Sequence, residues 1–320
     1  MLALIARGEV DMRAVSPTLA LFPGWRGMLE YEDRATQVGR HLVANHPRLT
    51  DAIVLAPFAD FEQIQARQLS MRGYTFVSPE MKTFMGRVPD ELSGPYLAML
   101  LLWHIARFEA AFARTNLDAE FRLQAIDSVH RILDQIEAGT DWADIHDDAF
   151  MKDLGIVRLS ILAAVAQLIY PYAGMMRRPV IKAGLGALLY VYGRCGGAAP
   201  FLEIHTHKTM MGQYFNPKGW DETYRLAALA LPSFPRARGM MGVSWFYDPQ
   251  LDEVSPRLKY LRDVPLAGGA RLVPVGASPA SVALATATSV TRRDLYALGK
   301  YTPISNALVW SRRDMLKTHG

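Results

Sequence analysis

The first legible pattern in the chain is a short apolar run at 51–57, bounded by Asp51 and Pro57, which reads as a buried strand. Residues 60–70 read as a helix and 74–77 as a second strand. From 95 to 139 the apolar period is three to four. Leu97, Leu101, Ile105, Phe108 and Phe112 form one series, and Phe121, Ala125, Val129, Ile132 and Ile136 form another. Asn116 and Asp118 fall between them, as helix termini do, so the spacing predicts an antiparallel helical pair. Residues 147–170 predict a third helix. The glycine-rich stretch 193–200 is the most linker-like in the chain and marks the expected boundary.

Beyond it, strands and helices alternate. The pattern predicts a strand at 201–207, a helix at 221–231 entered through 216–220, and a strand at 242–247 that ends at Asp248-Pro249. A short helix at 256–263, strands at 271–275 and 281–288, a helix at 291–298 and a last strand at 307–310 follow. The expected class is α+β. A mostly helical region with a small α/β element occupies 1–192, and a mixed α/β sheet domain occupies 193–320.

Composition narrows the function classes. Half of the 320 residues are hydrophobic and 21% are charged, which supports a sizeable core and excludes a disordered chain. The one cysteine, Cys195, excludes a disulfide framework and any Cys-based metal cluster, and fits a reducing compartment. A net charge of +4 with a pI near 9.1 suits anionic partners. The apolar start at residues 1–6 is too short for a leader, and the run 159–170 is too short to span a bilayer. A second apolar run, 183–192, follows Arg177, Arg178 and Lys182. Two such runs around a basic cluster can form a patch that dips into one leaflet, or two buried helices joined by a solvated loop. The expectation is a cytoplasmic protein, peripheral at the inner face of a membrane if the patch forms, with no nucleic-acid partner.

Three segments carry candidate chemistry. On a strand, Glu203, His205 and His207 point to one face. A carboxylate with two imidazoles can do acid–base work, hold a divalent metal, or form the polar face of an edge strand. The metal ligand set is incomplete in the sequence, so no metal is assigned. Next, Arg236, Arg238, Gly239 and Gly242 form a glycine-flanked basic turn whose amides and guanidinium groups suit a phosphate or pyrophosphate. Trp245 and Tyr247 share a strand face, and Asp248 at its mouth is placed to hold a substrate ammonium. Elsewhere, Trp103-His104 with Glu109 reads as a satisfied structural group in preference to a metal or haem ligand pair. The 15 methionines suit adaptable packing or the lining of an acyl groove.

The third segment is 288–303, where small hydroxyl residues open a helix that closes at Gly299 before Tyr301 and Pro303. Its Leu295-Tyr296 followed by Gly299 resembles the signature that ends the last helix of the GNAT superfamily of acyl-CoA N-acyltransferases. The resemblance covers about the last third of the chain and implies that Tyr296 protonates the departing coenzyme A thiolate. The family's pyrophosphate loop, Arg/Gln-x-x-Gly-x-Gly/Ala running into a helix, is matched here by Arg236-x-x-Gly239. Met241 stands at its last small position and a strand is expected next, so 211–220, which precedes a helix, is a second candidate for that loop.

The leading expectation is an N-acyltransferase that moves a long acyl chain from acyl-CoA or an acyl carrier protein to an amine. A lipid or sphingoid-base-type amine giving a ceramide-type product is the nearest analogue. In that scheme His205 or Glu203 is the base, Tyr296 the acid, and the amides near Gly242 the oxyanion donors. The alternatives are a metal-dependent hydrolase or oxygenase using His205 and His207, and a non-enzymatic lipid-binding protein that works through Arg177, Arg178 and Lys182. No P-loop, dinucleotide fingerprint, nucleophile elbow or nucleic-acid module is present in the sequence.

Overall fold

A computed structural model describes residues 31–69, 76–139, 142, 144–172, 177–207, 212 and 215–320. The chain forms two compact units, the first comprising 1–168 with 207–209 and the second 169–206 with 210–320. The glycine-rich stretch 193–200, expected as the boundary, lies inside the second unit.

The first unit is helical: α1 (Tyr31–Asn45), α2 (Leu49–Leu55), α3 (Phe58–Leu69), α4 (Pro79–Met85), α5 (Ser93–Ile105), α6 (Phe108–Phe112), α7 (Ala119–Glu137) and α8 (Asp148–Val157). The expected periodicity holds where it is strongest, since Leu97, Leu101, Ile105, Phe108, Phe121, Ala125, Val129, Ile132 and Ile136 are all buried. Asp118 caps α7 by accepting from Glu120 N at 2.9 Å. The strand expected at 51–57 is instead α2. Leu49 and Ala52 are its buried positions, at helical spacing, with buried Ala56 just past its end, while Val54 and Leu55 face solvent. An apolar run of this length fits either element, and packing chose the helix. Of the strand expected at 74–77, residues 74 and 75 lie outside the described residues, and Phe76 and Val77 are in no strand.

The third predicted helix, 147–170, ends early. Asp147 caps it at Ala149 N (2.7 Å), but after Val157 the chain turns through Leu159 at φ 59°. It then enters two strands, β1 (Leu162–Ala164) and β2 (Gln167–Tyr172). Residues 161–170 are buried without interruption, the mark of strands covered on both faces. This apolar run is core, so it takes no part in the expected membrane patch.

The second unit contains α9 (Arg177–Ala183), α10 (Leu185–Leu188), β3 (Phe201–His205), α11 (Pro217–Ala230), β4 (Gly239–Ser244), α12 (Leu251–Val254) and α13 (Tyr260–Ala267), then β5 (Arg271–Gly276), α14 (Pro279–Ala287), α15 (Val290–Ala297), β6 (Ser305–Ser311) and α16 (Arg312–His319). Its strands lie in the order β2-β3-β4-β6-β5. β3 and β4 are parallel, in the register Leu202↔Met240 and Glu203↔Met241, whereas β4/β6 and β6/β5 are antiparallel. The expected α+β class with a mixed sheet toward the C-terminal end is therefore observed. Side chains alternate as the pleat requires. Phe201, Met241, Val273, Ala307 and Val309 join Val180, Val191 and Cys195 in one cluster. Trp310 points the other way, with its ring 5.7 Å from that of Tyr224 on α11.

Two expected strands differ. Residues 281–287 lie in α14, because Ser278 accepts from Ser281 N (3.1 Å) and Pro279 occupies the first turn, a helix start that overrides the β-branched residues after it. The strand expected at 242–247 begins and ends three residues earlier. Ser244 caps Phe246 N at 3.1 Å and turns Trp245–Tyr247 into a 3₁₀ turn. At the head of β4 the backbone of Arg238 is tied on both sides, its N–H donating to Pro200 O and its carbonyl accepting from Arg312 N, both at 2.8 Å. Next to it, Gly239 (φ 147°) presses so close to β6 that a β-carbon would lie 2.0 Å from Trp310 O.

Two stability outcomes follow. Gly239→Ala is expected to lower stability by about 3 kcal/mol or more, since both the conformation and the space exclude a side chain, as read by urea unfolding. On α7, burial pushes the Asp127 carboxyl up to about 6. Its folded value lies above the unfolded one, so its contribution is full below about pH 4 and is lost as pH rises through about 6. Asp127→Asn is therefore expected to stabilise by up to about 3 kcal/mol near pH 7 and to change little near pH 4, as measured by paired urea titrations.

Candidate functional site

The candidate acid–base cluster lies on β3 and β2. Glu203 and His205 alternate with inward Ile204 and so share one face of β3. The Glu203 carboxylate is nearly buried and accepts a 2.6 Å hydrogen bond from Tyr170 Oη on β2 through Oε2. Its other oxygen, Oε1, lies 3.3 Å from His205 Nε2. The Tyr170 and His205 rings are 5.3 Å apart. His205 Nε2 is itself buried, while the side chain as a whole keeps 34% of its surface. The result is a line from a buried phenol through a carboxylate to an imidazole open to solvent. A carboxylate so placed orients a ring that keeps part of its surface in solvent, the arrangement of a proton-transfer pair.

His207 does not join them. β3 ends at His205, and His207 belongs to the first unit, where its fully buried ring lies 3.3 Å from Asp153 Oδ1. Burial alone would raise the Asp153 carboxyl, but Arg131 beside it, together with His207, outweighs this and holds it below the usual carboxylate range. His207 thus takes part in a buried charge cluster, and the expected three-membered face reduces to Glu203 and His205. The physical reason is the strand's length: alternation places residues on one face only while the strand continues.

The glycine and arginine turn is built differently from a phosphate cradle. Arg236 and Arg238 are exposed, and Gly239 is glycine because β6 leaves it no room. Arg238 lies over Gly196 and Gly197, with Nη1 3.3 Å from a β-carbon built on Gly196. Since β3 and β4 run parallel, this turn stands at the start of the pair and His205 at its end, so the two do not share a site. Gly242 sits within β4 opposite Leu308, and a β-carbon there would meet Tyr247 Oη at 2.8 Å and Ile204 at 2.9 Å. Its lack of a side chain is explained by packing.

Trp245 is buried in the 3₁₀ turn, with the Arg292 guanidinium 4.6 Å above its ring. Arg292 in turn donates to Ala285 O (2.6 Å) and Ser255 Oγ (2.9 Å). Asp248 is 1% exposed, and its carboxylate accepts from Ile304 N (2.9 Å) and Gln250 N (3.0 Å). It fastens the approach to β6 and is closed to a substrate ammonium, contrary to expectation. Tyr296 lies on α15 and is 43% exposed. The Leu295-Tyr296-x-x-Gly299 spacing has a local cause here. Lys300 N donates to Leu295 O (2.9 Å) and Gly299 N to Tyr296 O (3.0 Å), with Gly299 at φ 67°, the paired bonds that close a helix on a left-handed glycine.

In the first unit, His104 lies 3.0 Å from Glu62, which also meets Arg158, while Glu109 accepts from Tyr31 and Arg122. Burial lowers the His104 pKa against the pull of Glu62, as expected of a structural histidine. Among the described residues, no three His, Cys, Asp or Glu side chains are grouped to hold a metal, and no helix is long and apolar enough to cross a membrane.

Tyr170 is the member of the cluster that sequence reasoning missed. It ends an apolar run read as helical, and its partner stands 33 residues away across a strand pair. The only local signal was a phenol at the end of that run.

No family model matches the chain, and no curated protein is recognisably similar in sequence. A solved structure described as an acyltransferase in complex with decanoyl-CoA superposes with a TM-score of 0.42 at 14% identity. The superposition covers 87% of this chain and 99% of that one. Likeness at this level defines neither the fold family nor the chemistry.

Asp248→Ala is expected to cost about 2–4 kcal/mol in urea unfolding, because it leaves two backbone N–H groups without an acceptor. An unchanged unfolding midpoint would contradict the fastening role.

Proposed function

We propose that the second unit catalyses acyl transfer from an acyl thioester to an amine, with His205 as general base and Glu203 behind it. The observation that carries this reading is the Tyr170–Glu203–His205 line, with its imidazole half-open at the end of β3. An amine is protonated at neutral pH and must lose a proton before or as it attacks the thioester carbon. The His205 imidazole accepts that proton, and Glu203 stabilises the resulting imidazolium. The C–N bond forms, the C–S bond breaks, and the thiolate takes a proton to leave as free thiol. Tyr296 is retained as the candidate donor for that last proton on the strength of the resemblance to the GNAT superfamily.

The donor in this reading is acyl-CoA or an acyl carrier protein, and the acyl chain is long. The acceptor is a lipid amine of the sphingoid-base type. The basic, methionine-rich composition supports an anionic donor with an apolar chain. Arg236 and Arg238 stand at the start of β4, away from His205, and take no part in this reading. The metal-dependent alternative has lost a ligand, because His207 is committed to Asp153.

The test is free-thiol release by the purified full chain from long-chain acyl-CoA across a panel of amines. Amine-dependent release is expected, with His205→Ala lowering kcat by about 10²–10⁴-fold. Glu203→Gln is expected to lower it less, and Tyr296→Phe to slow the step in which the thiol leaves. No release with any amine, release that needs no amine, or full activity of His205→Ala would each overturn the proposal.

A further inference from the structure

We propose that the outer face of α9, α10 and the π-helical turn Leu189–Arg194 docks onto an anionic lipid surface. This surface is separate from the Glu203–His205 cluster and does not depend on the acyl-transfer reading. The three elements form a thin layer on the sheet. Val180 and Val191 are fully buried against the cluster of Phe201, Met241, Val273 and Val309, with Ala183, Ala187, Leu188 and Tyr190 packed beside them. The Cys195 N–H bonds back five residues to Tyr190 O, closing the wide turn. A layer anchored this way in a soluble unit presents polar residues on its other side.

Here the other side is apolar as well. Ile181, Leu185, Leu189 and Tyr192, spaced four, four and three apart, are 55%, 71%, 65% and 46% exposed. Single exposed aliphatic residues are ordinary, but four large apolar side chains left exposed within one short layer mark a contact surface.

Charge selects the occupant. From Leu154 to Leu202 the chain contains no Asp or Glu, while Arg177, Arg178, Lys182 and Arg194 fall within the part of it that belongs to this unit. Arg177, Arg178 and Lys182 lie on α9 itself, and Lys182 is exposed next to Ile181. At the far end Arg194 is paired with Asp314, whose carboxylate also accepts from Ser311 Oγ, so the nearby acid is already neutralised. Arg271 on the edge strand β5, which α9 packs against, is exposed too. Exposed apolar side chains with Lys182 among them, and no Asp or Glu on their own elements, fit an acidic headgroup layer. Leu185 and Leu189 would enter the acyl boundary, with Tyr192 at headgroup level.

The experiment is co-sedimentation of the full chain with vesicles of phosphatidylcholine alone or mixed with phosphatidylglycerol. The full chain is expected to bind the mixed vesicles, more weakly at high salt, and to bind the neutral ones poorly. The double variant Leu185→Asp/Leu189→Asp is expected to lose on the order of a hundredfold in partitioning. Lys182→Glu should weaken binding only to the anionic vesicles. Both variants alter exposed positions, so an unchanged thermal transition shows that folding is intact. Failure of the wild type to bind, equal binding to both vesicle types, or undiminished binding by the folded double variant would overturn the proposal. Self-association in sedimentation velocity that the double variant abolishes, without vesicle binding, would overturn it in favour of a second copy.

Discussion

The second unit depends on the close approach of β4 to β6 at Gly239. There the backbone of Arg238 bonds to Pro200 on one side and Arg312 on the other, and the α-carbon of Gly239 lies against the Trp310 carbonyl. This contact fixes the register of β4 and β6, from Gly239↔Ser311 to Ser244↔Asn306, and the start of the parallel pair with β3. A one-residue slip would exchange the two faces of each strand. Met241 and Val309 would leave one core layer, and Glu203 would lose its place beside Met241. The position of the candidate cluster is thus set at the far end of the strands from the cluster itself.

That geometry separates two kinds of polar group. Asp153, Asp248 and Arg292 are buried and fully engaged, with each charge answered by backbone groups or an opposing side chain. They hold segments in place. Glu203 is also nearly buried, but its partner His205 keeps part of its ring in solvent. A buried, oriented carboxylate behind an accessible imidazole is the arrangement that acid–base chemistry requires, and it is why His205 carries the functional reading while Asp248 does not.

The layer of α9, α10 and the π-helical turn shows the opposite imbalance. Its inner face is satisfied by the sheet, and its other side exposes aliphatic side chains beside Lys182. The acid-free stretch that contains it also contains the buried strands β1 and β2. The same lack of carboxylates therefore serves a core in one half and a surface in the other.

The sequence by itself determined the strongly periodic helices, the mixed α/β character of the C-terminal half and the identity of Glu203 and His205 as neighbours on one strand face. These follow from spacing within a few residues, which local geometry converts directly into a shared side. Helix starts marked by Ser278-Pro279 were equally local, yet the β-branched residues after them masked the signal. Tertiary structure alone decided where β3 stops, so that His207 turns to Asp153. It also paired Tyr170 with Glu203, made a core hairpin of one apolar run, and left the other on the surface. Each of these outcomes depends on contacts between residues far apart in the chain, and no local pattern encodes the partner at the other end.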